Sequence, residues 1–229
     1  MSNGANVCVE SKKSKLMSYK NILFDLDGTL TDPYLGITNS VKYALKKFNI
    51  AEDDESILKL FIGPPLEKSF MEFYQFDRSK AKIAVEYYRE YFSEKGIYEN
   101  TLYSNIDSVL KTISEKNKNI LLATSKPTMF ASTILKYFGI EKYFYDVVGS
   151  NLDGTMVEKD EIVKHVIEKN GLDKKETVMI GDRKYDIIGA NKNGIHSVAV
   201  MYGYGSKEEL EEAKPTYFCG SVMDILGIV

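Results

Sequence analysis

The chain contains 229 residues, which is enough for one large domain or for a core domain with a smaller insertion. Its 44% hydrophobic and 28% charged residues are typical of an ordinary globular protein. The formal net charge of -3 implies no basic surface, so binding to nucleic acid is not expected.

The first 18 residues carry no long apolar stretch, and we interpret them as a flexible tail rather than a secretory signal. No apolar run in the chain approaches the length of a membrane span. The two cysteines, Cys8 and Cys219, match neither a disulfide framework nor a metal-ligand spacing, which favours reduced thiols. We therefore expect a cytoplasmic protein without membrane contact, either a monomer or a small homo-oligomer.

Short apolar segments predict the buried strands of a parallel sheet. In chain order they are residues 21–24, 120–123, 146–148, 177–180, 197–200 and 216–219. Amphipathic patterns such as NIDSVLKTISEK and MFASTILKYFGI separate most of them and predict helices. This alternation indicates an α/β fold, with a Rossmann-like parallel sheet between two layers of helices.

A long helical segment interrupts this alternation after the first strand. Between Asp32 and Leu102 the sequence shows helical patterns and no convincing strand. This segment is too long to be a simple crossover connection between two strands. We interpret residues 33–102 as an inserted all-helical cap domain. Residues 19–32 and 103–229 would then form the α/β core domain.

Carboxylates follow the ends of two predicted strands. Asp25 and Asp27 come directly after the first strand, in DLDGT, and Asp182 and Asp186 follow the fourth, in GDRKYD. Ligands of open parallel sheets bind beyond the carboxyl ends of the strands, so these four groups should meet in one small space. Like charges so close together repel each other unless a cation neutralises them, and oxygen ligands favour Mg2+.

These motifs resemble those of the haloacid dehalogenase-like (HAD) superfamily of hydrolases. The resemblance is carried by DLDGTL after the first strand, Thr124 at the end of the second, a downstream lysine, and GDRKYD. The helical insertion lies where part of the superfamily has a helical cap, and FIGPPLEKSF and YGYGSKEEL are similar to the branch of phosphoglycolate phosphatases and 5′-nucleotidases. The resemblance implies a phosphatase, a phosphoric monoester hydrolase that acts on a small phosphorylated metabolite.

The chemistry of the carboxylates, read with this resemblance, gives each one a role. Asp25 is the candidate nucleophile, which would form an aspartyl-phosphate, and Asp27 is the candidate general acid and base. The resemblance implies that the carboxylates of Asp25 and Asp182 and the backbone carbonyl of Asp27 bind Mg2+. Asp186 would act one layer further out, by orienting water on the metal.

Phosphate binding is assigned to residues beyond the second strand. Thr124 and its neighbour Ser125 are the candidate hydroxyl ligands, and Lys159, at the start of a predicted helix, is the candidate cation. Lys126 is a rival cation, and we expect its side chain to be solvated.

The predicted cap should exclude water and contact the substrate. We expect its loop Gly63-Pro64-Pro65 to face the core, and Gly63 and Lys68 are the candidate substrate contacts. The sequence does not decide between phosphoglycolate and a 5′-nucleotide as substrate.

Two alternatives to a phosphatase remain open. A phosphomutase of the β-phosphoglucomutase type would keep every motif and return the phosphoryl group to a sugar. A catalytically silent binding module is the other alternative, and the intact acids Asp25, Asp27 and Asp182 argue against it.

Overall fold

The computed structural model describes residues 19–229. The strands in this part of the chain are β1 (Asn21–Phe24), β2 (Thr31–Asp32), β3 (Thr101–Leu102), β4 (Asn119–Pro127), β5 (Phe144–Ser150), β6 (Thr177–Gly181), β7 (His196–Val200) and β8 (Tyr217–Cys219). Six of them form a parallel sheet in the order β5-β4-β1-β6-β7-β8. The central strand, β1, therefore has β4 on one side and β6 on the other.

Helices connect these strands and cover the sheet. They are α1 (Tyr34–Lys46), α2 (Glu55–Lys59), α3 (Leu66–Tyr74), α4 (Arg78–Tyr91), α5 (Ile106–Glu115), α6 (Thr128–Tyr137), α7 (Lys159–Asn170), α8 (Lys184–Asn193) and α9 (Lys207–Ala213). Several have local signals at their ends. The Asp77 side chain accepts a hydrogen bond of 2.8 Å from the backbone N–H of Lys80 at the start of α4, and α7 ends at Gly171, whose φ is 60°.

Both faces of the sheet are buried, because consecutive side chains of a strand point to opposite sides. Ile22 and Phe24 pack into one apolar cluster together with buried residues of α5 and α6. Leu23 packs into a second cluster with buried residues of α7 and α8. The predicted α/β fold, with a parallel sheet between helices, is confirmed.

Helices α1 to α4 all lie between β2 and β3. These two short strands pair antiparallel, with Thr31 opposite Leu102 and Asp32 opposite Thr101, so the chain enters and leaves the helical insertion through one ribbon. The sequence did not predict this ribbon, because two-residue strands are too short to show a periodicity. The larger apolar cluster continues into the insertion through Ile37 and Phe61. The division into a cap domain at 33–102 and a core domain stays an interpretation.

Predicted strand positions agree with the structure, but β4 is longer than expected. It continues beyond residue 123 to Pro127, so Thr124, Ser125 and Lys126 belong to the strand. No helix within residues 19–229 is long and apolar enough to cross a lipid bilayer. Cys219 is a buried free thiol, whereas Cys8 and the interpretation of residues 1–18 as a tail fall outside the described residues.

Candidate active site

Three carboxylates meet at the carboxyl ends of β1 and β6. Asp25 directly follows β1, Asp182 directly follows β6, and Asp186 lies in the first turn of α8. One oxygen from each lies within 4.8 Å of the others, and all three residues are buried. Residues far apart in sequence converge here because β1 and β6 are neighbouring parallel strands.

A buried lysine partly balances this negative charge. Lys159 begins α7, and its Nζ atom lies 2.8 Å from Oδ1 of Asp25 and 2.8 Å from Oδ1 of Asp186. The same Nζ donates a hydrogen bond of 3.0 Å to the carbonyl of Ala123 in β4. Burial alone would lower the pKa of Lys159, but Asp186 and Asp25 outweigh that effect and raise the pKa above its ordinary value. Lys159 is therefore a fixed positive charge between two acids.

Asp182 is held in place from two sides. Oδ1 accepts a hydrogen bond of 3.1 Å from the Thr29 hydroxyl, and Oδ2 accepts one of 2.7 Å from the backbone N–H of Tyr204. A Cβ atom on Gly28 would lie 2.1 Å from Oδ2 of Asp182, and the φ of Gly28 is 80°. Glycine is thus required in DLDGT, both for the turn and for the close approach of this carboxylate.

The charges of this cluster make it suited to a divalent cation. Burial, reinforced by Asp186 and Asp25, raises the pKa of Asp182 well above its ordinary value. Burial also raises the pKa of Asp186 to about 6, against the opposing effect of Lys159. Oδ1 of Asp25 and Oδ1 of Asp186 lie at ion-pair distance from Lys159, but among the described residues 19–229 they receive no well-directed hydrogen bond. Buried, under-satisfied carboxylate oxygens in excess of the local positive charge fit Mg2+.

Asp27 points away from this cluster toward a second lysine. Its Oδ2 lies 2.9 Å from Nζ of Lys126, both side chains are buried, and Oδ1 has no hydrogen-bond partner within residues 19–229. Nζ of Lys126 also lies 4.6 Å from the ring centroid of Phe92, which follows α4. The expectation of a solvated Lys126 is wrong, because β4 extends far enough to carry this side chain inward. Burial raises the pKa of Asp27, and Lys126 opposes the rise.

A cavity of about 520 Å³ lies between the helical insertion and the strand ends. On the core side its walls include Asp27, Ser125 and Lys126. On the side of the insertion, the cavity walls include residues 63–68, which are the loop before α3 and the start of that helix. They also include the aromatic side chains of Tyr88 and Phe92. Asp27 lines this cavity, whereas Asp25, two residues before it, belongs to the carboxylate cluster.

The structure brings the predicted phosphate-binding residues to the same strand end. Thr124 is buried, and its hydroxyl oxygen accepts a hydrogen bond of 3.3 Å from the backbone N–H of Lys126. Ser125 lines the cavity, and its carbonyl accepts a hydrogen bond of 2.8 Å from the Ser150 hydroxyl. Lys159 lies against Asp25, the candidate nucleophile.

The two candidate cap residues occupy different settings. Gly63 lies against the core, close to the side chain of Arg183. Lys68 lines the cavity, but its Nζ is in an ion pair of 2.5 Å with Glu158 at the exposed rim. Asp186, assigned from sequence to an outer position, lies inside the same carboxylate cluster as Asp25 and Asp182, so it is a further candidate ligand.

Two residues with contacts at the site had no signal of their own in the sequence. Arg183 follows Asp182 and reaches the insertion, where its Nη1 donates a hydrogen bond to the carbonyl of Ile62. Tyr204 supports Asp182 through its backbone and contacts Asp32 in the ribbon through its hydroxyl. Arg183 lies in the motif GDRKYD and Tyr204 in YGYGS. The motifs therefore indicated this part of the site, but not the contacts that these two residues make.

The fold and the site together define a class of hydrolase. The parallel sheet carries acids beyond β1 and β6, and a helical segment follows β2. The family described as haloacid dehalogenase-like hydrolase matches residues 22–200, most of the described sequence. The chain belongs to this family, as the motifs indicated.

Its relatives include named phosphatases. A 5′-nucleotidase of Pseudomonas aeruginosa is 44% identical, over 90% of this chain and 93% of the relative. A phosphoglycolate phosphatase of Haemophilus influenzae is 27% identical, over 92% of this chain and 98% of the relative. The crystal structure of a predicted phosphatase from Clostridium acetobutylicum superimposes with a TM-score of 0.89 at 46% identity, covering 91% of this chain and 96% of that one.

Proposed function

We propose that this protein is a Mg2+-dependent phosphatase that hydrolyses a small phosphomonoester through an aspartyl-phosphate on Asp25. The observation that carries the proposal is the position of Asp25 in a buried carboxylate cluster, 2.8 Å from Lys159 and two residues before the cavity-lining Asp27. The proposed nucleophile and acid follow β1 and the proposed cation contacts the nucleophile, an arrangement that supports acyl-phosphate chemistry.

Asp25 and Asp182 would hold the magnesium ion, together with the backbone carbonyl of Asp27, and Asp186 would act as a further ligand or orient water. When bound, the ion would neutralise enough negative charge for a carboxylate to approach a phosphate dianion. The under-satisfied oxygens of Asp25 and Asp186 support this assignment.

The protein's own groups account for both chemical steps. An Asp25 oxygen attacks phosphorus, the bond from phosphorus to the ester oxygen breaks, and Asp27 donates a proton to the departing oxygen. Water then attacks the phosphorus of the aspartyl-phosphate, Asp27 takes the proton back, and Asp25 and inorganic phosphate are released. Burial of Asp27, which raises its pKa, supports its role as an acid. Lys159 and the Thr124 hydroxyl would hold the phosphoryl oxygens.

A nucleoside 5′-monophosphate is the substrate that we favour over phosphoglycolate. The named 5′-nucleotidase is 44% identical to this chain, against 27% for the named phosphoglycolate phosphatase. The cavity of about 520 Å³ carries aromatic walls at Tyr88 and Phe92, and a two-carbon acid would leave most of it unfilled.

The test is a measurement of phosphate release from a panel of phosphomonoesters, with Mg2+ and with EDTA. Asp25→Asn should abolish turnover, and so should EDTA. Full activity in EDTA would refute the metal role. Conversion of a hexose 1-phosphate into its isomer, without release of phosphate, would point to a mutase instead.

A further inference from the structure

The side chain of Arg183 extends from the carboxylate cluster to the helical insertion. Its Nε donates a hydrogen bond of 2.9 Å to Oε1 of Glu209, and its Nη2 donates one of 3.4 Å to Oε2. Its Nη1 donates to the carbonyl of Ile62, in the loop before α3. The Arg183 side chain is 9% exposed and the Glu209 side chain 19%, so this is a largely buried charge pair, and Arg183 makes one further polar contact, to the insertion.

The backbone of the same residue is part of the metal-site loop. Arg183 directly follows Asp182, and its backbone N–H donates a hydrogen bond of 3.1 Å to Oδ2 of Asp186. One residue therefore contacts the carboxylate cluster through its main chain and the insertion through its side chain.

The loop on the opposite side is shaped to accept this guanidinium group. Ile62 is fully buried, and the φ of Gly63 is 108°. A Cβ atom on Gly63 would lie 3.0 Å from both Cγ and Nη1 of Arg183. Residues 63–68 line the cavity, so the position of Arg183 determines where this wall lies.

Other polar contacts between the insertion and the core near the cavity are more exposed. The Lys68–Glu158 pair has side chains that are 61% and 40% exposed, and Arg89 donates a hydrogen bond of 2.8 Å to the Leu152 carbonyl in an exposed setting. Exposed ion pairs contribute little, whereas a buried hydrogen bond from a charged donor contributes more. Arg183 should therefore dominate the polar attachment of this loop.

We propose that Arg183 is a positioning residue that holds residues 62–68, the loop before α3 and the first residues of that helix, against the core and so fixes this wall of the cavity. For its kinetic consequence this rests on the phosphatase function proposed above. In the proposed mechanism the phosphate lies at the carboxylate cluster, so residues 63–68 on the cavity wall would contact the leaving group, and loosening them should weaken the binding of bulky substrates and spare compact ones.

The test uses variants from both sides of the contact. Arg183→Lys keeps the charge beside Glu209 but cannot maintain all three hydrogen bonds. Gly63→Ala adds a methyl group against the guanidinium without altering any acid of the site. Glu209→Gln weakens the anchor of Arg183, and its matched control is Glu211→Gln, which changes an exposed acid of the same helix.

Two readouts separate positioning from a general structural defect. The first is the KM and kcat with Mg2+ for p-nitrophenyl phosphate, a bulky probe, and for acetyl phosphate, a compact one. We expect the KM of the bulky probe to rise about tenfold in Arg183→Lys and Glu209→Gln, the loss expected for one charge-assisted hydrogen bond. It should also rise in Gly63→Ala, because the added methyl group crowds the guanidinium and a φ of 108° is strained for alanine. The KM of acetyl phosphate should stay within about twofold, and Glu211→Gln should match the wild type for both probes.

The second readout is hydrogen–deuterium exchange of amides in residues 60–68, measured in wild type and variants without substrate. Faster exchange there, with the rest of the core unchanged, supports the proposal. Unchanged exchange and unchanged KM in all three test variants would overturn it, and so would equal losses for both probes. If the wild type hydrolyses neither probe, the proposed phosphatase function is what fails, and exchange alone decides whether Arg183 holds the loop.

Discussion

The Nζ atom of Lys159 lies 2.8 Å from Oδ1 of Asp25, and this ammonium group is shared with Asp186 at the same distance. The candidate nucleophile, which follows β1, is thus paired with a lysine at the start of α7, the helix between β5 and β6 in the chain. Asp182, the third buried acid of the cluster, is held instead by hydrogen bonds from Thr29 and Tyr204.

Replacing Lys159 with methionine should destabilise the metal-free protein. The substitution removes the partner of two buried carboxylates, and breaking a buried pair costs about 3–5 kcal/mol in the free energy of unfolding. Asp186, whose pKa is already raised by burial, can partly escape this cost by binding a proton, so we expect the lower end of the range near neutral pH. Urea unfolding in EDTA measures this loss in the free energy of unfolding. Lys164→Met, at an exposed position of the same helix, is the control and should change the free energy by less than about 0.5 kcal/mol.

Replacing Asp182 with asparagine should remove metal binding without destabilising the metal-free protein. The carboxyl is buried beside two other acids, which raises its pKa, so a neutral amide removes repulsion rather than a favourable charge. The amide nitrogen cannot accept one of the hydrogen bonds from Thr29 and Tyr204, which offsets the gain from reduced repulsion, so we expect the melting temperature of Asp182→Asn in EDTA to stay close to that of the wild type. Addition of Mg2+ should raise the melting temperature of the wild type only. A variant that is less stable in EDTA but still stabilised by Mg2+ would contradict the assignment of Asp182.

Magnesium affinity should increase with pH between about 5.5 and 7.5. Burial raises the pKa of Asp186 to about 6 and that of Asp182 well above its ordinary value, so the metal-free fold holds protons that the ion must displace. Each displaced proton changes the affinity by up to about tenfold per pH unit. The free energy of unfolding of the metal-free protein should change with pH in the opposite direction. Because these carboxyls bind protons more tightly when folded than when unfolded, the EDTA-treated protein should gain stability as the pH falls toward 6.

Isothermal titration calorimetry tests this linkage. Titration of Mg2+ at several pH values, in buffers with different heats of ionisation, gives both the affinity and the number of protons released. A flat affinity with no proton release would show that the cluster is already ionised before the metal binds.

Local sequence patterns were enough to predict the catalytic end of the sheet. Buried strands have a clear apolar signature, and the acids directly after β1 and β6 have fixed positions relative to those strands. Parallel pairing of the two strands then brings Asp25 and Asp182 together without further information. Lys159 could be assigned because it begins a helix next to the same edge.

Contacts between the core and the insertion could not be predicted from local sequence patterns. The pairing of Arg183 with the Ile62 carbonyl depends on how the insertion lies on the core, and a backbone carbonyl leaves no trace in the residue type. Lys126 was misjudged for a related reason. Lysine is usually solvated, and its burial here depends on the extension of β4 and on Phe92 from a distant part of the chain.

The last prediction concerns Asp27 and the leaving group. If Asp27 protonates the departing oxygen, Asp27→Asn should slow hydrolysis of esters with poor leaving groups much more than of those with good ones. We expect kcat/KM to fall about 100- to 10,000-fold for a nucleoside 5′-monophosphate, and markedly less for the first step with p-nitrophenyl phosphate. The second step also needs Asp27 as a base, so the variant should accumulate aspartyl-phosphate when supplied with p-nitrophenyl phosphate. Intact-protein mass spectrometry after acid quenching would detect one added phosphoryl group, and the double variant with Asp25→Asn should show none. Equal losses for both leaving groups, without a trapped intermediate, would assign the proton transfer to another residue.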